Sequence, residues 1–142
     1  MINFKSTLYR GEGVNHLGEK FTGTFNVEPI GDSGSYSYNY TTVSENSGET
    51  MHRESGIITE DEYSSTVVSV YMTQLPSLTK HILIRDSGEV YRFGYEGEGM
   101  MEQYDSELYF EFNRDGFIYR HCWGQGVTAS EKTRCDLRRV LE

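Results

Sequence analysis

The residues of this chain whose types and spacing could do chemistry are His52 and Glu54, in the segment 51–56 (MHRESG). Side chains two positions apart in a strand point to the same face, so the carboxylate can orient the imidazole. The pair could carry out acid–base chemistry, hydrogen-bond a ligand, or serve as a structural pair that joins adjacent strands. Arg53 alternates to the other face, and periodicity alone leaves open which face points inward.

His121 is a second candidate, because it shares the parity of an aromatic strand face. The other members of that face are Phe117, Tyr119 and Trp123. If the face is internal, His121 is a polar group among rings and needs a partner there, either a ligand or a structural neighbour. We interpret His16 and His81 as surface groups. No two histidines have the i, i+2 or i, i+4 spacing of a zinc site, so no metal is predicted.

Aromatic residues supply the predicted ligand wall. The chain contains 11 Tyr, 7 Phe and 1 Trp but 2 Pro, and such rings either fill a core or line a cavity. We predict non-enzymatic binding of a small hydrophobic or amphipathic molecule, oriented by His52 or His121. The predicted ligand-binding residues are His52, Glu54, Tyr38, Tyr91, Tyr95, Tyr119, His121 and Trp123. Two alternatives stay open: a small enzyme that uses His52 and Glu54, and a structural or partner-binding domain that forms a homodimer.

Short alternating strands must position these residues. Apolar and polar residues alternate with a period of two along most of the chain, and helical periodicity is rare. Glycine-containing turn signals separate the runs. The pattern predicts nine or ten strands, at approximately 5–13, 19–28, 35–44, 50–59, 65–72, 80–85, 89–96, 106–113, 117–124 and 131–140. Residues 73–79, which include Pro76, are predicted to form a longer loop or a single turn.

Closure of these strands into a barrel is the predicted architecture. Consecutive strands joined by short turns give an antiparallel up-and-down meander, and an open sheet of that many twisted strands would curl and leave exposed edges. A closed all-β barrel removes the edges. With 142 residues and no linker or low-complexity segment, the chain is predicted to form a single domain over residues 1–142.

The charge of the chain restricts its partners. It has 13 basic and 22 acidic residues, a net charge of −9, which disfavours nucleic acids and anionic membranes. No apolar run approaches the roughly 20 residues of a spanning helix, and residues 1–10 lack the apolar stretch of a signal peptide. We therefore expect a soluble, cytoplasmic protein. Cys122 and Cys135 lack metal-ligand spacing, so we expect free thiols, although a disulfide across a hairpin is geometrically possible.

Three segments carry a resemblance to a known family. Residues 8–13 (LYRGEG) look like the opening strand of nitrobindin-like β-barrels, where an aromatic residue precedes a Gly-x-Gly pair. Residues 51–56 resemble the fourth-strand motif of that family, an apolar residue followed by His-x-Glu-x-Gly, and residues 136–140 (DLRRV) are similar to its final strand. The family belongs to the calycin group, with fatty-acid-binding proteins and lipocalins. The opening segment is equally similar to related barrel domains of unknown function.

The resemblance implies a ligand held inside the barrel or at its mouth. In nitrobindins the ligand is haem b, whose iron is bound by a histidine near the start of the last strand. Residues 129–135 (ASEKTRC) contain no histidine, and Cys135 is the residue there that could provide a thiolate. Haem is therefore the cofactor that the resemblance implies, whereas the residues themselves predict none.

Overall fold

The computed structural model describes residues 2–60, 65–96, 104–125 and 130–141, and this part of the chain forms ten β-strands. They are β1 (Leu8–Asn15), β2 (Lys20–Pro29), β3 (Tyr36–Ser44), β4 (Thr50–Glu60), β5 (Thr66–Met72), β6 (Leu75–Asp86), β7 (Val90–Glu96), β8 (Tyr104–Phe112), β9 (Gly116–Gln125) and β10 (Ser130–Arg139). The described residues contain no helix long and apolar enough to cross a membrane.

The sheet closes into a barrel because β1 pairs with both β2 and β10. Every other strand pairs with its neighbours in sequence, and all pairings are antiparallel, so the predicted up-and-down barrel is confirmed. At the β1–β10 seam, Tyr9 lies opposite Arg139. Gly11 permits the close approach there, because a Cβ atom would lie 1.7 Å from the carbonyl oxygen of Asp136.

The observed strand boundaries differ from the predicted ones in two places. β1 begins at Leu8 rather than near residue 5. Most of the region 73–79, predicted to be a loop, belongs to β6, because the chain reverses within residues 73–74. The β5–β6 register shifts beside Pro76. That irregularity accommodates the proline, which lacks a backbone N–H and is tolerated in a sheet at a bulge.

One end of the barrel interior is filled by aromatic rings, and we call it the closed end. The Phe25 ring is fully buried, with its centroid 4.8 Å from that of Tyr38 and 5.1 Å from that of Phe117. Phe4, from the segment before β1, inserts its ring 5.7 Å from Phe117 and 5.9 Å from Phe25. These rings remove much apolar surface from water and form the core of the fold.

Candidate functional site

A cavity of about 240 Å³ occupies the opposite end of the barrel, which we call the mouth. Its apolar lining consists of Phe21, Tyr40, Met51, Tyr104 and Trp123. Its polar lining consists of Asn15, His16, Thr42, His52, Glu54, Gln74, His121, Lys132 and Thr133. Aromatic rings beside convergent polar groups are typical of small-molecule sites. We call this space the mouth cavity.

Two register irregularities determine which side chains reach the mouth cavity. In the β3–β4 ladder, Thr42 lies opposite His52 but Val43 lies opposite Thr50, so Met51 is an extra residue. In the β9–β10 ladder, the register shifts between Glu131 and Thr133, so Lys132 is the extra residue there. A β-bulge re-aims the side chain of its extra residue. Neighbours in sequence therefore line the cavity together, Met51 beside His52 and Lys132 beside Thr133.

The carboxylate of Glu54 is the buried polar centre below the cavity. Within the described part of the chain it accepts three hydrogen bonds: from the hydroxyls of Tyr38 and Tyr119, each 2.7 Å from Oε2, and from His52 Nε2, 2.8 Å from Oε1. Burial by itself would raise the pKa of Glu54, but the His52 and His121 rings and the Tyr119 hydroxyl lower it below its ordinary value. Glu54 is therefore a buried carboxylate anion.

Both ring nitrogens of His52 face acceptor oxygens, those of Gln74 and Glu54, which favours the protonated imidazolium beside the carboxylate. Burial would lower the pKa of His52, but the hydrogen bond and charge of Glu54, with the side chain of Gln74, raise it above its ordinary value. The Nδ1 atom of His52 bonds Gln74 Oε1, whose amide nitrogen donates to the carbonyl of Met51 at 3.0 Å. The predicted orienting contact between His52 and Glu54 is thus present. Gln74 carries no recognisable sequence signal, since it lies in the turn before β6.

The packing of one tyrosine, Tyr38, explains why a glycine stands at the third position of the motif His52-x-Glu54-x-Gly56. All three residues lie on the inner face of β4, and Tyr38 of β3 lies directly opposite Gly56. A Cβ atom at Gly56 would lie 2.3 Å from the Tyr38 ring. The absence of a side chain at Gly56 therefore leaves room for the ring whose hydroxyl reaches Glu54. Burial and the adjacent carboxylate raise the pKa of Tyr38 well above 10, so its hydroxyl stays a donor.

A second polar group, His121–Ser106–His81, continues from the cavity into the barrel interior. Ser106 Oγ lies 3.0 Å from His121 Nε2 and 2.9 Å from His81 Nε2. Burial lowers the pKa of His121 to about 4 and that of His81 to about 3, so both rings are neutral at pH 7. This arrangement gives His121 the internal partner that a buried imidazole needs.

The interpretation of His81 as a surface group was wrong, because its ring is fully buried. The strand run His81-Ile-Leu-Ile looks apolar, but alternation points its two isoleucines, Ile82 and Ile84, outward. Each of them is 53% exposed. His16 is exposed, as predicted, although it also contacts the edge of the cavity. Ser106 was missed, since a single serine in a strand carries no sequence signal for this role.

The structure separates the aromatic residues predicted to bind ligand. Trp123 lines the mouth cavity. Tyr38 and Tyr119 lie beneath it and contact Glu54. Tyr95 stands 5.6 Å from the His81 ring and is not part of the lining, whereas Tyr91 lies at the closed end. Three other aromatic residues line the cavity although the sequence did not predict them as ligand-binding residues: Phe21, Tyr40 and Tyr104.

The two cysteines are free and lie on opposite faces of the sheet, so no disulfide joins them across the hairpin. In the β9–β10 ladder, Cys122 lies opposite Glu131 and Cys135 opposite Tyr119. Burial raises the pKa of each thiol to about 11. Both residues are therefore protonated thiols at neutral pH, as expected for a pair without metal-ligand spacing.

The described residues do not fit a haem group. Cys135 is a protonated thiol that contacts the carbonyl of Gly11 at 3.7 Å, so it offers no thiolate. Both nitrogens of His52, and Nε2 of His121, already bond protein atoms. The mouth cavity is also smaller than the roughly 300–1,000 Å³ pockets that enclose drug-sized ligands. In the same described ranges, no three His, Cys, Asp or Glu side chains are arranged to hold a metal ion.

Comparison with known proteins adds no family assignment. No protein-family model matches this chain, and no curated protein matches it significantly. The closed ten-stranded antiparallel barrel formed by the described residues is consistent with a calycin-like fold. The architecture therefore rests on the strand pairing itself.

Proposed function

We propose that this protein is a non-enzymatic binding protein that holds a small, largely apolar or amphipathic ligand in the mouth cavity. The observation that carries the proposal is the division of the barrel interior. Aromatic rings fill the interior at the closed end, outside which lies a cavity of about 230 Å³ with mostly polar lining residues. The cavity of about 240 Å³ at the mouth has aromatic walls together with convergent polar groups.

The energetics of the cavity favour a ligand with both apolar and polar parts. Each 100 Å² of apolar ligand surface removed from water contributes about 2.5 kcal/mol, whereas a micromolar Kd requires about 8 kcal/mol. A ligand small enough for this cavity needs polar contacts in addition to apolar burial. His121, Thr42 and Thr133 lie on the lining and can supply them.

The hydrogen bonding of the buried ion pair supports binding rather than acid–base catalysis. A catalytic base needs a free nitrogen or oxygen within reach of a substrate proton. In the described structure, both His52 nitrogens bond Gln74 and Glu54, and both Glu54 oxygens accept protein hydrogen bonds. We infer that the pair supplies a rigid polar floor. The resemblance to nitrobindin-like and lipocalin-type barrels supports an interior ligand, although not haem.

The test uses a matched pair of substitutions in β3. Thr42 lies on the inner face and lines the cavity, while its neighbour Thr41 lies on the outer face because side chains alternate along β3. We expect Thr42→Phe to fill the cavity and weaken binding of a neutral apolar dye, N-phenyl-1-naphthylamine, at least tenfold, whereas Thr41→Phe leaves it unchanged. Trp123 is the single tryptophan of the chain and lines the cavity, so its fluorescence reports occupancy.

Native mass spectrometry of the freshly purified protein completes the test, because it shows any retained ligand together with the oligomeric state. A retained small molecule that is absent from Thr42→Phe supports the proposal. Equal dye affinity in the wild type and Thr42→Phe, or no dye binding to either, would overturn it. Activity toward a substrate panel that is lost in His52→Ala but kept in Thr41→Phe would favour the enzyme instead.

A further inference from the structure

We propose that the ligand of the mouth cavity is a small aromatic anion, whose ring lies against Trp123 and whose carboxylate pairs with Lys132. This inference rests on the proposed function and names the ligand class of the same site.

The β10 bulge brings Lys132 to the cavity. In a regular strand Lys132 would point away from the face that carries Thr133 and Cys135, because side chains alternate. The register shift between Glu131 and Thr133 removes that constraint, and Lys132 and Thr133 both line the cavity. The bulge is also tied to the neighbouring turn, since the amide of His16 donates to the carbonyl of Lys132 at 2.8 Å. Bulges that re-aim a side chain are common beside binding sites.

The charge of Lys132 is not matched by a carboxylate within the described structure. Its Nζ lies 5.1 Å from the centre of the Trp123 ring, and no described carboxylate oxygen is within 4.0 Å of it. Glu19, in the nearby turn, accepts from the side-chain amide of Asn15 instead. An ammonium group held at the rim of a cavity in a chain of net charge −9 is a local positive site.

The other charged groups on the cavity do not offset this positive charge. Glu54 and His52 form an ion pair, so their charges balance. His121 is neutral at pH 7, because burial lowers its pKa to about 4. The lining therefore carries an excess positive charge at Lys132. That charge favours an anionic ligand and disfavours the cationic ligands that aromatic walls could otherwise accept.

The rings at the rim favour a flat apolar part on the same ligand. Trp123 has Tyr104 stacked beside it, with centroids 6.3 Å apart and planes inclined by 24°. His16 approaches the Trp123 ring edge-on at 6.3 Å. Phe21 on β2 and Tyr40 on β3 add two further rings to the lining, and a cavity of about 240 Å³ suits one or two fused rings. Lys132 and Thr133 both line the cavity, so an ammonium and a hydroxyl are available there as partners for a carboxylate on such a ring.

The experiment compares three ligands that share one ring system. 2-Naphthoate, 2-naphthamide and 2-naphthylmethylammonium are titrated into the protein by calorimetry at pH 7. We expect the carboxylate to bind at least tenfold more tightly than the amide, which corresponds to 1.4 kcal/mol, and the ammonium to bind most weakly. The preference should fall as salt is raised, because a rim charge is partly screened.

Lysine variants test the assignment to Lys132. Lys132→Gln should reduce the carboxylate-to-amide ratio to below twofold, and Lys132→Arg should retain it. Lys20→Gln is the matched control, since Lys20 is exposed on β2 outside the cavity lining. Retention of the full ratio in Lys132→Gln would overturn the inference.

The outcomes separate this inference from the proposed function. Equal binding of carboxylate and amide, or tighter binding of the ammonium, would overturn the anion preference while leaving the binding function intact. If none of the three naphthalene ligands binds, while the wild type still binds the neutral dye and Thr42→Phe still weakens that binding, the ligand class alone is overturned. Failure of the dye as well would overturn the proposed function.

Discussion

Acidification should destabilise this protein strongly between pH 7 and pH 5, because two buried histidines are neutral in the folded state. Burial lowers the pKa of His121 to about 4 and that of His81 to about 3, from an ordinary value of 6.5. Below pH 6.5 the unfolded chain binds a proton at each site, whereas the folded chain does not. The unfolded state therefore binds more protons, and the free energy of unfolding falls as pH falls.

The magnitude follows from the size of these shifts. One pH unit below the unfolded pKa costs about 1.4 kcal/mol per histidine, and from pH 7 to pH 5 each site loses about 2 kcal/mol. His81 and His121 together give about 4 kcal/mol, a large part of the roughly 5–15 kcal/mol of a typical domain. His52 offsets a small part of this loss. Its pKa is raised, so its stabilising contribution grows as pH falls from 7 and is fully present below 6.5.

Urea unfolding followed by circular dichroism at constant ionic strength provides the measurement. His121→Gln and His81→Gln should each reduce the loss between pH 7 and pH 5 from about 4 to about 2 kcal/mol. Thr41→Val is the control, because neither side chain titrates and the loss should stay the same as in the wild type. Most surface carboxylates titrate below pH 5, so this window isolates the histidines. A wild-type loss below about 1 kcal/mol, or an undiminished loss in a variant that carries both His81→Gln and His121→Gln, would refute the reasoning.

Three further predictions concern packing and thiols. Gly56→Ala should lower the free energy of unfolding by about 1–3 kcal/mol, because its Cβ would lie 2.3 Å from the Tyr38 ring; urea unfolding checks this, and an unchanged midpoint would contradict it. Phe25→Ala should cost about 3–5 kcal/mol by the same measurement, since Phe25 is fully buried among rings; a loss below 1 kcal/mol would be inconsistent with that packing. Both cysteines should resist a thiol reagent at pH 7 until urea unfolds the chain, and rapid labelling of the native protein would count against their burial.

The sequence was sufficient to predict the barrel, because alternation and turns are local signals. Every predicted strand overlaps an observed one, and it follows from period-two geometry alone that His52 and Glu54 share one face of their strand. Periodicity does not tell whether the aromatic face that carries His121 points inward. Closure of the sheet into a barrel decides this, because the rings are then buried in the interior, away from water.

The cavity could be predicted only in part, because its lining depends on irregularities in the ladders. Each bulge adds one residue, which reverses the local parity and turns Met51 and Lys132 toward the cavity. Neither bulge has a distinctive residue type in the sequence. The prediction for His81 was wrong for a different reason. Its neighbours Ile82 and Ile84 are exposed although they are apolar, so the outer face of this strand looks more hydrophobic than the inner face that carries His81. Gln74 reaches His52 across a gap of 22 residues, which no local pattern reveals.

The position of Glu54 relates the stability of the barrel to its proposed binding function. Its carboxylate joins β4 to Tyr38 on β3 and, across the interior, to Tyr119 on β9, at the level where the packed rings end and the cavity begins. For stability alone, well-packed apolar residues commonly do as well as a buried ion pair, because desolvating the charges offsets their attraction. We therefore attribute the ion pair beneath the cavity to the proposed binding function. The hydrogen bonds to Glu54 hold His52, Tyr38 and Tyr119 directly below the space in which the ligand is proposed to bind.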